Sequence, residues 1–529
     1  MTASARSVNI KTQSRTSVWL QTAAVSLGLL VLALAVRLPY LQLVPAIVDE
    51  GTEVLWGLDI ALGRHWPLTS FSVYIGPVSA YLLAGLFRVF GVHVVLPRLM
   101  MAVFGALLVV TTYWLGRWIS GARVGLIGAA LTLVSPVLVA ETSHYAWSNC
   151  LTPFFTTLTV CVAYAAVTRR NAWLMGLTGL VGGLALQSHP TAAAALAGLV
   201  VWYLGRRDVL KWLRWPGPYL ALAGLLVGYA PMIEYNRRQP GQMLSTAQDR
   251  PYAFAPTLDP LEVARRVVDY GLSVSRFVTD GLASPTLATW LVQGLVAALL
   301  LVGLWAARRG ESRMLPIVFL MSALIHSVVV KVNDSRYLAM LIPVAAIGVG
   351  IGLVHLADLA RERTALARPT LRLPQASLVF TALLPLALTA YGLLSLGRFY
   401  QQAFTQDLTN APYFRLGDEL AQRGLCGPNL YVENVRADWF NPVSVHAVFG
   451  IRTLHYILTL EGCEHRWASA AEIAQALPAQ PSPAWFITTE PMGGALPPEV
   501  RLTPEDRTAL PPRNDVRVDL TLYRLTRTP

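Results

Sequence analysis

Long apolar stretches, separated by short connections that carry many of the arginines, fill the chain up to about residue 397. A helix needs about 20 apolar residues to cross a hydrocarbon core about 30 Å thick. Stretches that approach this length are residues 18–36, 99–116, 125–140, 151–167, 172–187, 191–204, 219–233, 287–306, 315–330, 337–355 and 378–396. The pattern predicts a polytopic α-helical membrane protein with about 11 transmembrane helices in a domain of residues 1–397.

One further apolar stretch, residues 77–92, is predicted not to cross the membrane. It contains Arg88, and an amphipathic helix of this kind lies along the interface with its apolar face in the lipid. Residues 40–96 then form one large outer loop that contains interfacial helices. A second outer loop, residues 234–285, is polar and interrupted by prolines, and we expect it to cover a site.

The composition changes after residue 397. Asn, Asp, Pro and Arg become frequent, and the short β-like runs 429–432 and 484–488 appear. Residues 398–529 are therefore predicted to form a small soluble α/β domain. An odd number of spans places this domain outside the cell membrane, where Cys426 and Cys463 are chemically permitted to pair. We expect the domain to influence the choice of acceptor.

The charge of the chain adds an orientation. Of its 529 residues 54% are hydrophobic and 14% charged, and the formal net charge is +12. The basic residues form short clusters between apolar runs, near positions 6–15, 117–123, 169–170, 206–214, 308–313 and 361–372. Short cytoplasmic loops are enriched in Lys and Arg, so the N-terminus is predicted to be cytoplasmic. Topology explains this charge, and no nucleic-acid partner is expected.

The strongest candidate for chemistry is the adjacent pair Asp49 and Glu50, which follows the first span by roughly ten residues and is followed by Glu53. A carboxylate near a membrane surface can act as a general base toward an acceptor hydroxyl. The alternative is structural, because acidic residues also cap helices and interact favourably with the helix dipole. Both readings stay open at this point.

Several short motifs occur in an order that resembles the GT-C superfamily of membrane glycosyltransferases, of the protein O-mannosyltransferase and aminoarabinose-transferase type. They are Asp49-Glu50, Gly76-Pro77 through Phe90-Gly91, Leu96-Pro97-Arg98-Leu99, Leu115-Gly116-Arg117, Leu133-Val134-Ser135-Pro136, and Ser335-Arg336-Tyr337-Leu338 with Pro343. The resemblance implies a GT-C-like fold. It also implies inverting transfer of a sugar from a polyprenyl-phosphate carrier to an acceptor hydroxyl at the outer face of the cytoplasmic membrane.

Two positions depart from the pattern of that family. Some relatives carry a Lys that contacts the lipid phosphate just before the proline of the interfacial helix, where this chain has Gly76. Relatives often place an acidic residue after the third span, where the segment 143–149 offers His144 and Asn149 instead. The phosphate contact is therefore expected from elsewhere.

Basic residues at a predicted outer boundary supply that contact. Cations outside go against the positive-inside trend, which favours anion binding, although snorkelling to lipid headgroups is the alternative. The predicted donor-phosphate residues are Arg336, Lys331, His189 and Tyr337, and the predicted acceptor or sugar pocket contains His144, Tyr145, Asn149, Arg64 and Asn333. The resulting hypothesis requires Asp49, as the base, and Arg336 to share one pocket on the non-cytoplasmic side.

The sequence contains no Gly-rich phosphate loop, Cys-x-x-Cys pair or His-Glu-x-x-His motif. No cofactor is predicted as required, and a divalent metal ion at Asp49, Glu50, His144 and His189 stays open. The expected partners are a polyprenyl-phosphate-linked sugar, a lipid, glycan or protein acceptor, and membrane lipids. Alternatives are a transporter or flippase of lipid-linked saccharides, and an assembly protein with the GT-C fold but without activity.

Overall fold

The computed structural model describes residues 15–42, 48–207, 209–248, 254–282, 285–367, 375–405, 410–434, 442–476, 483–489, 500–509 and 518–527. The first helices are α1 (Arg15–Arg37), α2 (Val48–Ala61), α3 (Val78–Phe90), α4 (Leu96–Ser120), α5 (Ala122–Val134), α6 (Pro136–Val139), α7 (Thr152–Thr168), α8 (Ala172–Ser188), α9 (Ala192–Leu204), α10 (Val209–Leu213) and α11 (Gly217–Gly228). They continue as α12 (Ala230–Arg238), α13 (Gln242–Gln248), α14 (Pro260–Phe277), α15 (Leu287–Ala306), α16 (Met314–Val329), α17 (Ser335–Leu338), α18 (Ile342–Ala367), α19 (Gln375–Leu378), α20 (Leu384–Thr405), α21 (Ala411–Gln422), α22 (Pro442–Leu460) and α23 (Ala470–Ala476).

Within the described residues, seven helical segments are long and apolar enough to cross a membrane, and one bent pair makes an eighth candidate. Each of the eleven predicted spans falls on helical structure, although residues 125–140, 219–233, 337–355 and 378–396 each extend over two helices. Three of them, α8, α9 and α11, have 17, 13 and 12 residues, so the exact number of crossings stays a prediction. The chain is a multi-pass membrane protein, as its apolar pattern indicated.

The first predicted outer loop contains two helices that pack on each other, α2 and α3. Leu83 and Phe87 of α3 are buried, whereas Val89 and Phe90 are exposed. The Arg88 guanidinium donates hydrogen bonds to the carbonyls of Ile60 and Ala61 at 2.9 and 3.0 Å. Both carbonyls belong to the last turn of α2, where the helix itself leaves acceptors unfilled, and the Ile60 carbonyl also accepts the N–H of Gly63. The predicted interfacial stretch is thus a separate helix that holds α2 in place.

The third predicted span is broken. Helices α5 and α6 meet at an angle of 64°, because Pro136 cannot donate a backbone hydrogen bond and Ser135 before it takes an extended conformation. The Ser135 hydroxyl donates to the carbonyl of Phe277 at 2.6 Å. A π-helical turn, Ala140–His144, and a 3₁₀ turn, Ser148–Leu151, then lead into α7. Residues 140–149 form what is called here the kinked segment.

The C-terminal part is built on a five-stranded mixed sheet with the strand order β2-β1-β3-β5-β4. The strands are β1 (Leu430–Glu433), β2 (Arg466–Ala468), β3 (Ala484–Thr488), β4 (Val500–Ala509) and β5 (Asp519–Arg527). Strand β1 pairs in parallel with β2 and β3, and β5 pairs antiparallel with β3 and β4. Both predicted β-runs are strands of this sheet. Cys426 and Cys463, which the sequence permitted to pair, form a disulfide with their Cα atoms 4.9 Å apart.

The connection between the two parts is helical. Helix α20 continues from Leu384 to Thr405, across residue 397 where the sequence places the domain boundary, and that boundary stays a prediction. Helix α22 of the C-terminal part packs against α2 of the membrane part. The soluble domain therefore rests on the helix that carries the acidic pair.

Candidate functional site

The first two turns of α2 carry three acidic side chains in three different environments. Glu50 is fully buried and binds Arg98 at the start of α4 through two hydrogen bonds of 2.7 and 2.9 Å. Arg98 also donates to the carbonyl of Leu41 at 2.8 Å. A two-pronged arginine–carboxylate contact fixes both groups in position. Glu50, a predicted catalytic residue, is therefore engaged in holding α2 against α4.

Glu53 lies one turn further along α2 and is also buried. Its carboxylate accepts hydrogen bonds from the Ser70 hydroxyl at 2.8 Å and from the backbone N–H of Ser148 at 2.7 Å. The Ser148 hydroxyl donates a third bond at 2.6 Å. Burial raises the pKa of this carboxyl to about 7, although the bonds from Ser148 and Ser70 oppose the shift. Glu53 ties α2 to the kinked segment.

Asp49 precedes Glu50 in the first turn of α2, and its side chain is half-buried. Its carboxylate interacts electrostatically with Arg336 and with Arg452. The structure thus brings Asp49 and Arg336 together, as the sequence hypothesis requires. Of the three acids, Asp49 is the one with a partly accessible side chain.

The late basic motif lies at the break before α18. The Arg336 guanidinium forms an ion pair with Asp334 at 2.9 Å and lies 5.7 Å from the ring centre of Trp147. Lys331 is exposed to solvent. The Asn333 side chain hydrogen-bonds His326, which places Asn333 beside the cavity described below. The Arg336 guanidinium lies within electrostatic range of Asp49.

A second carboxylate, Glu141, was missed by the sequence analysis. It is buried in the π-helical turn after α6 and accepts a hydrogen bond from the Ser335 hydroxyl at 2.8 Å. Its charge also acts on the neighbouring Arg336. The sequence signal was present, because Glu141 directly follows the apolar stretch 125–140. The acidic residue expected after the third span therefore exists, two residues before the segment in which it was sought.

An apolar cavity of about 280 Å³ opens next to this cluster. The imidazole of His189 stacks on the ring of Tyr337 with centroids 5.3 Å apart and meets the ring of Tyr74 edge-on at 6.4 Å. The remaining lining residues are Pro190, Thr191, Ala193, Ala194, Phe254, Ile325, His326, Val329 and Val330. Phe254 belongs to the second predicted outer loop, which thus closes one side of the cavity.

The predicted pocket residues of the kinked segment have different surroundings. His144 is buried and its ring hydrogen-bonds the Tyr400 hydroxyl of α20. Tyr145 lies within electrostatic range of Glu141 and Arg98. The Asn149 Oδ1 and the Trp147 Nε1 are buried and have no hydrogen-bond partner among the described residues. The ring of His144 therefore bridges the kinked segment to α20, and its assignment to the pocket stays a prediction.

Arg64 is not brought to this cluster. It follows the far end of α2, where its guanidinium lies 3.6 Å from Asp59 and both side chains are substantially exposed. Residues 49 to 61 of a helix span roughly 18 Å, so Arg64 is well separated from Asp49. In the part of the chain that the structure describes, no group of three or more His, Cys, Asp or Glu is placed to hold a metal ion.

Other arginines lie at the opposite end of the helices, where α4 ends. Residues 98 to 117 of the continuous helix α4 span roughly 28 Å, about the thickness of a hydrocarbon core. At that end Arg117 and Arg169 line an open groove of about 610 Å³ together with Trp19, Trp114 and Trp118. The acidic cluster and these predicted cytoplasmic arginines thus lie at opposite ends of α4.

Comparisons with known proteins agree with this architecture. The family described as dolichyl-phosphate-mannose-protein mannosyltransferase matches residues 75–235. The crystal structure of ArnT from Cupriavidus metallidurans bound to undecaprenyl phosphate is similar with a TM-score of 0.56 and 16% identity, over 96% of this chain and 98% of that chain. No curated protein sequence matches the chain.

A weaker likeness, with a TM-score of 0.44 and 15% identity, links the chain to the archaeal oligosaccharyltransferase AglB from Archaeoglobus fulgidus. That structure is a complex with an inhibitory peptide and a dolichol-phosphate, and the match covers 72% of this chain and 56% of that chain. The match to ArnT extends over nearly the full length of both chains. The predicted GT-C-like fold is therefore confirmed.

Proposed function

We propose that this multi-pass membrane protein of GT-C fold is a glycosyltransferase that moves a sugar from a polyprenyl-phosphate carrier to an acceptor hydroxyl. The observation that carries the proposal is the meeting of a half-buried carboxylate, Asp49, with the cation Arg336 near an apolar cavity. A lipid-linked donor has the matching parts, namely an anion, a sugar and an apolar chain.

The donor is held by its phosphate and its lipid. Arg336 binds the phosphate, aided by the ring pair His189 and Tyr337 at the mouth of the cavity. The first part of the polyprenyl chain occupies the apolar cavity. The ArnT structure of the same fold holds undecaprenyl phosphate, which supports a lipid phosphate as the ligand class here.

The reaction is a single displacement at the anomeric carbon. Asp49 removes the proton from the acceptor hydroxyl while the acceptor oxygen forms a bond to the anomeric carbon. The bond between that carbon and the phosphate oxygen breaks, and the phosphate leaves with the electron pair. Arg336 stabilises the charge that develops on the leaving group. The configuration at the anomeric carbon is inverted.

Two further carboxylates position these groups. Glu50 binds Arg98 and so fixes the first turn of α2, which carries Asp49. Glu141 binds Ser335 and so fixes the turn that carries Arg336. Glu50 and Glu141 are both buried, whereas Asp49 is half-buried and is therefore accessible to an acceptor.

The site is assigned to the non-cytoplasmic face of the cytoplasmic membrane. Support comes from the opposite end of the bundle, where Arg117 and Arg169 gather with tryptophans in one groove. Basic residues concentrate on the cytoplasmic side, and tryptophans mark the interface. The acidic cluster lies at the other end of α4, on the same side as the disulfide-containing domain that packs on α2.

The test is sugar transfer by purified protein supplied with radiolabelled polyprenyl-phosphate sugars and cell-envelope acceptors. Asp49→Asn is expected to lower transfer by about 100-fold or more, because it removes the general base. The protein should still bind undecaprenyl phosphate. Asp59→Asn is the matched control, since Asp59 is an exposed acid on the same helix, and it should leave transfer unchanged.

Normal transfer by a correctly inserted Asp49→Asn variant would remove Asp49 as the base. A transporter would instead move the intact lipid-linked sugar across vesicle membranes without forming a new glycosidic bond. An inactive assembly protein would give neither result.

A further inference from the structure

The position at which some relatives of the family place a phosphate-binding lysine has no room for a side chain in this protein. The backbone N–H of Gly76 donates to the carbonyl of Gln187 at 2.7 Å. A Cβ atom at Gly76 would lie 2.6 Å from the Cβ of Gln187, which is too close for any other residue without a shift of α8. The second cation of a phosphate site must come from another element.

The arginines of the membrane part near Asp49 already have carboxylate partners. Arg98 is fully buried in its contact with Glu50, and removing it from that contact would leave a buried charge unpaired. Arg336 is ion-paired with Asp334 at 2.9 Å, with both side chains about one third exposed. Arg336 is therefore able to bind a phosphate, but Asp334 already neutralises part of its positive charge.

The C-terminal domain places a further arginine at the same turn of α2. Helix α22 approaches α2 closely at Gly51, where an added Cβ would lie 3.3 Å from the Cβ of Tyr456 and 3.7 Å from the carbonyl oxygen of Arg452. Tyr456 is fully buried in this contact and acts electrostatically on Glu50 and Arg98. The packing thus fixes α22 directly over the acidic turn.

Arg452 lies on the same helix, one turn before Tyr456, and its side chain is half-buried. Among the described residues, the carboxylate that acts on its guanidinium is Asp49. Burial lowers the pKa of Arg452, and Asp49 opposes that shift. A partly desolvated guanidinium therefore faces the proposed base, on the opposite domain from Arg336.

We propose that Arg452 completes the donor-phosphate site, so that the phosphate is held between a cation of the membrane domain, Arg336, and a cation of the C-terminal domain. The inference rests on the proposed function, because it names part of the donor site of the same enzyme. Both cations lie within electrostatic range of Asp49, so the proposed base and the two phosphate-binding groups belong to one site.

This arrangement gives the C-terminal domain a role in donor binding. Sequence reasoning expected it to influence the acceptor alone. Arg452 compensates for the lysine that Gly76 excludes, and it adds a second donor fork to the oxygens on which negative charge develops. The domain must therefore be docked on α2 before the donor is held in its reactive position.

The experiment measures binding of undecaprenyl phosphate and of uncharged undecaprenol to the full-length purified protein in detergent, without any acceptor. The wild type should prefer the phosphate. Arg452→Gln should weaken phosphate binding by about 10- to 100-fold, the loss expected for a charge-assisted contact, and should leave undecaprenol binding unchanged. Arg452→Lys should retain part of the preference. Arg423→Gln is the control, because Arg423 is paired with Glu419 on α21.

The outcomes separate the inference from the function on which it rests. If the wild type prefers the phosphate and Arg452→Gln binds it equally well, Arg452 is not a phosphate ligand and the proposed function stands. If the wild type does not distinguish phosphate from undecaprenol, both proposals fail. A defect in transfer alone, with unchanged phosphate binding, would assign Arg452 to the acceptor. Equal thermal stability of the Lys, Gln and control variants shows that the contact between α22 and α2 is intact.

Discussion

The buried carboxylates on the inner face of α2 are all hydrogen-bonded, whereas the kinked segment contains buried polar atoms that are not. On α2, Glu50 receives two hydrogen bonds from Arg98, and Glu53 receives three from Ser70 and Ser148. In the kinked segment, the Trp147 Nε1 and the Asn149 Oδ1 find no protein partner among the described residues. The two regions are joined, since Ser148 lies between those unpaired groups.

This difference indicates that the two regions have different roles. A buried polar atom without a hydrogen bond costs about 1–3 kcal/mol, and a ligand with hydroxyls or a phosphate removes that cost when it binds. The buried inner face of α2 is therefore saturated, and under the proposed function the kinked segment is the region expected to hydrogen-bond a substrate. Substitutions of Glu50 and Glu53 on that inner face should act mainly on stability, and substitutions of the unpaired groups in the kinked segment mainly on binding and transfer.

The largest effect is expected for Glu50→Gln. It leaves the buried guanidinium of Arg98 without its counter-charge, which costs about 3–5 kcal/mol in comparable cases. The measurement is thermal unfolding of the purified protein in detergent. Arg64→Gln is the control, because it breaks the exposed contact with Asp59, and exposed pairs contribute about 0–1 kcal/mol. Equal stability of the two variants would show that α2 does not depend on its buried ion pair.

A somewhat smaller effect should follow from pH through Glu53. The folded-state pKa of this carboxyl is about 7 against an ordinary value of 4.5. Its contribution to stability is therefore fully present below pH 4.5 and is lost as the pH rises toward and through 7, by about 3 kcal/mol in total.

The isosteric variant Glu53→Gln cannot lose a proton and isolates this contribution. The stability of the wild type relative to Glu53→Gln should fall between pH 5 and pH 8, as measured by unfolding of both proteins in the same buffers. A difference that stays constant over this range would show that Glu53 is already ionised at pH 5.

The smallest stability effect, with a distinct functional one, is expected for Trp147→Phe. Removing the indole N–H deletes a donor that has no protein partner in the described part of the chain, so transfer should fall about five- to tenfold through one lost substrate hydrogen bond. Trp202→Phe is the matched control. Its Nε1 is likewise buried without a partner, but Trp202 lines an apolar cavity among α7, α8, α9 and α11.

Both tryptophan variants should lose similar thermal stability, because each removes the same volume from a buried position. Transfer should be lowered in the Trp147→Phe variant alone. If transfer falls equally in both, the loss reflects packing, and the kinked segment is no more a binding region than the inner face of α2.

Local sequence signals predicted much of this molecule, because apolar length and acidic pairs are properties of neighbouring residues. The eleven apolar stretches all became helices, and Asp49 was identified as the acid to examine. Composition and compartment permitted a pairing of Cys426 and Cys463 without deciding it, and the structure contains this disulfide. These features need no knowledge of which distant segments meet.

The rest of the candidate site depends on contacts that sequence position does not reveal. Glu141 and Ser335 are separated by 194 residues. The break at Pro136 changes the direction of the chain, and this change brings the Glu141 carboxylate into contact with Ser335 of the late basic motif. Arg452 lies in a soluble domain whose docking on α2 is set by the shape of Gly51 and Tyr456. His144 was assigned to the pocket from its neighbours in sequence, but its ring turns to Tyr400 of α20.

The bend between α5 and α6, at Pro136, determines the position of the Glu141 carboxylate. If α5 continued straight for the six residues from Pro136 to Glu141, a path of about 9 Å, the 64° change of direction would shift the carboxyl by roughly 10 Å. Ser335 would then lose its hydrogen bond to Glu141, and the turn that carries Arg336 would lose the contact that holds it in place. The angle of this helix break thereby sets the distance between the buried carboxylate of Glu141 and the turn that carries Arg336.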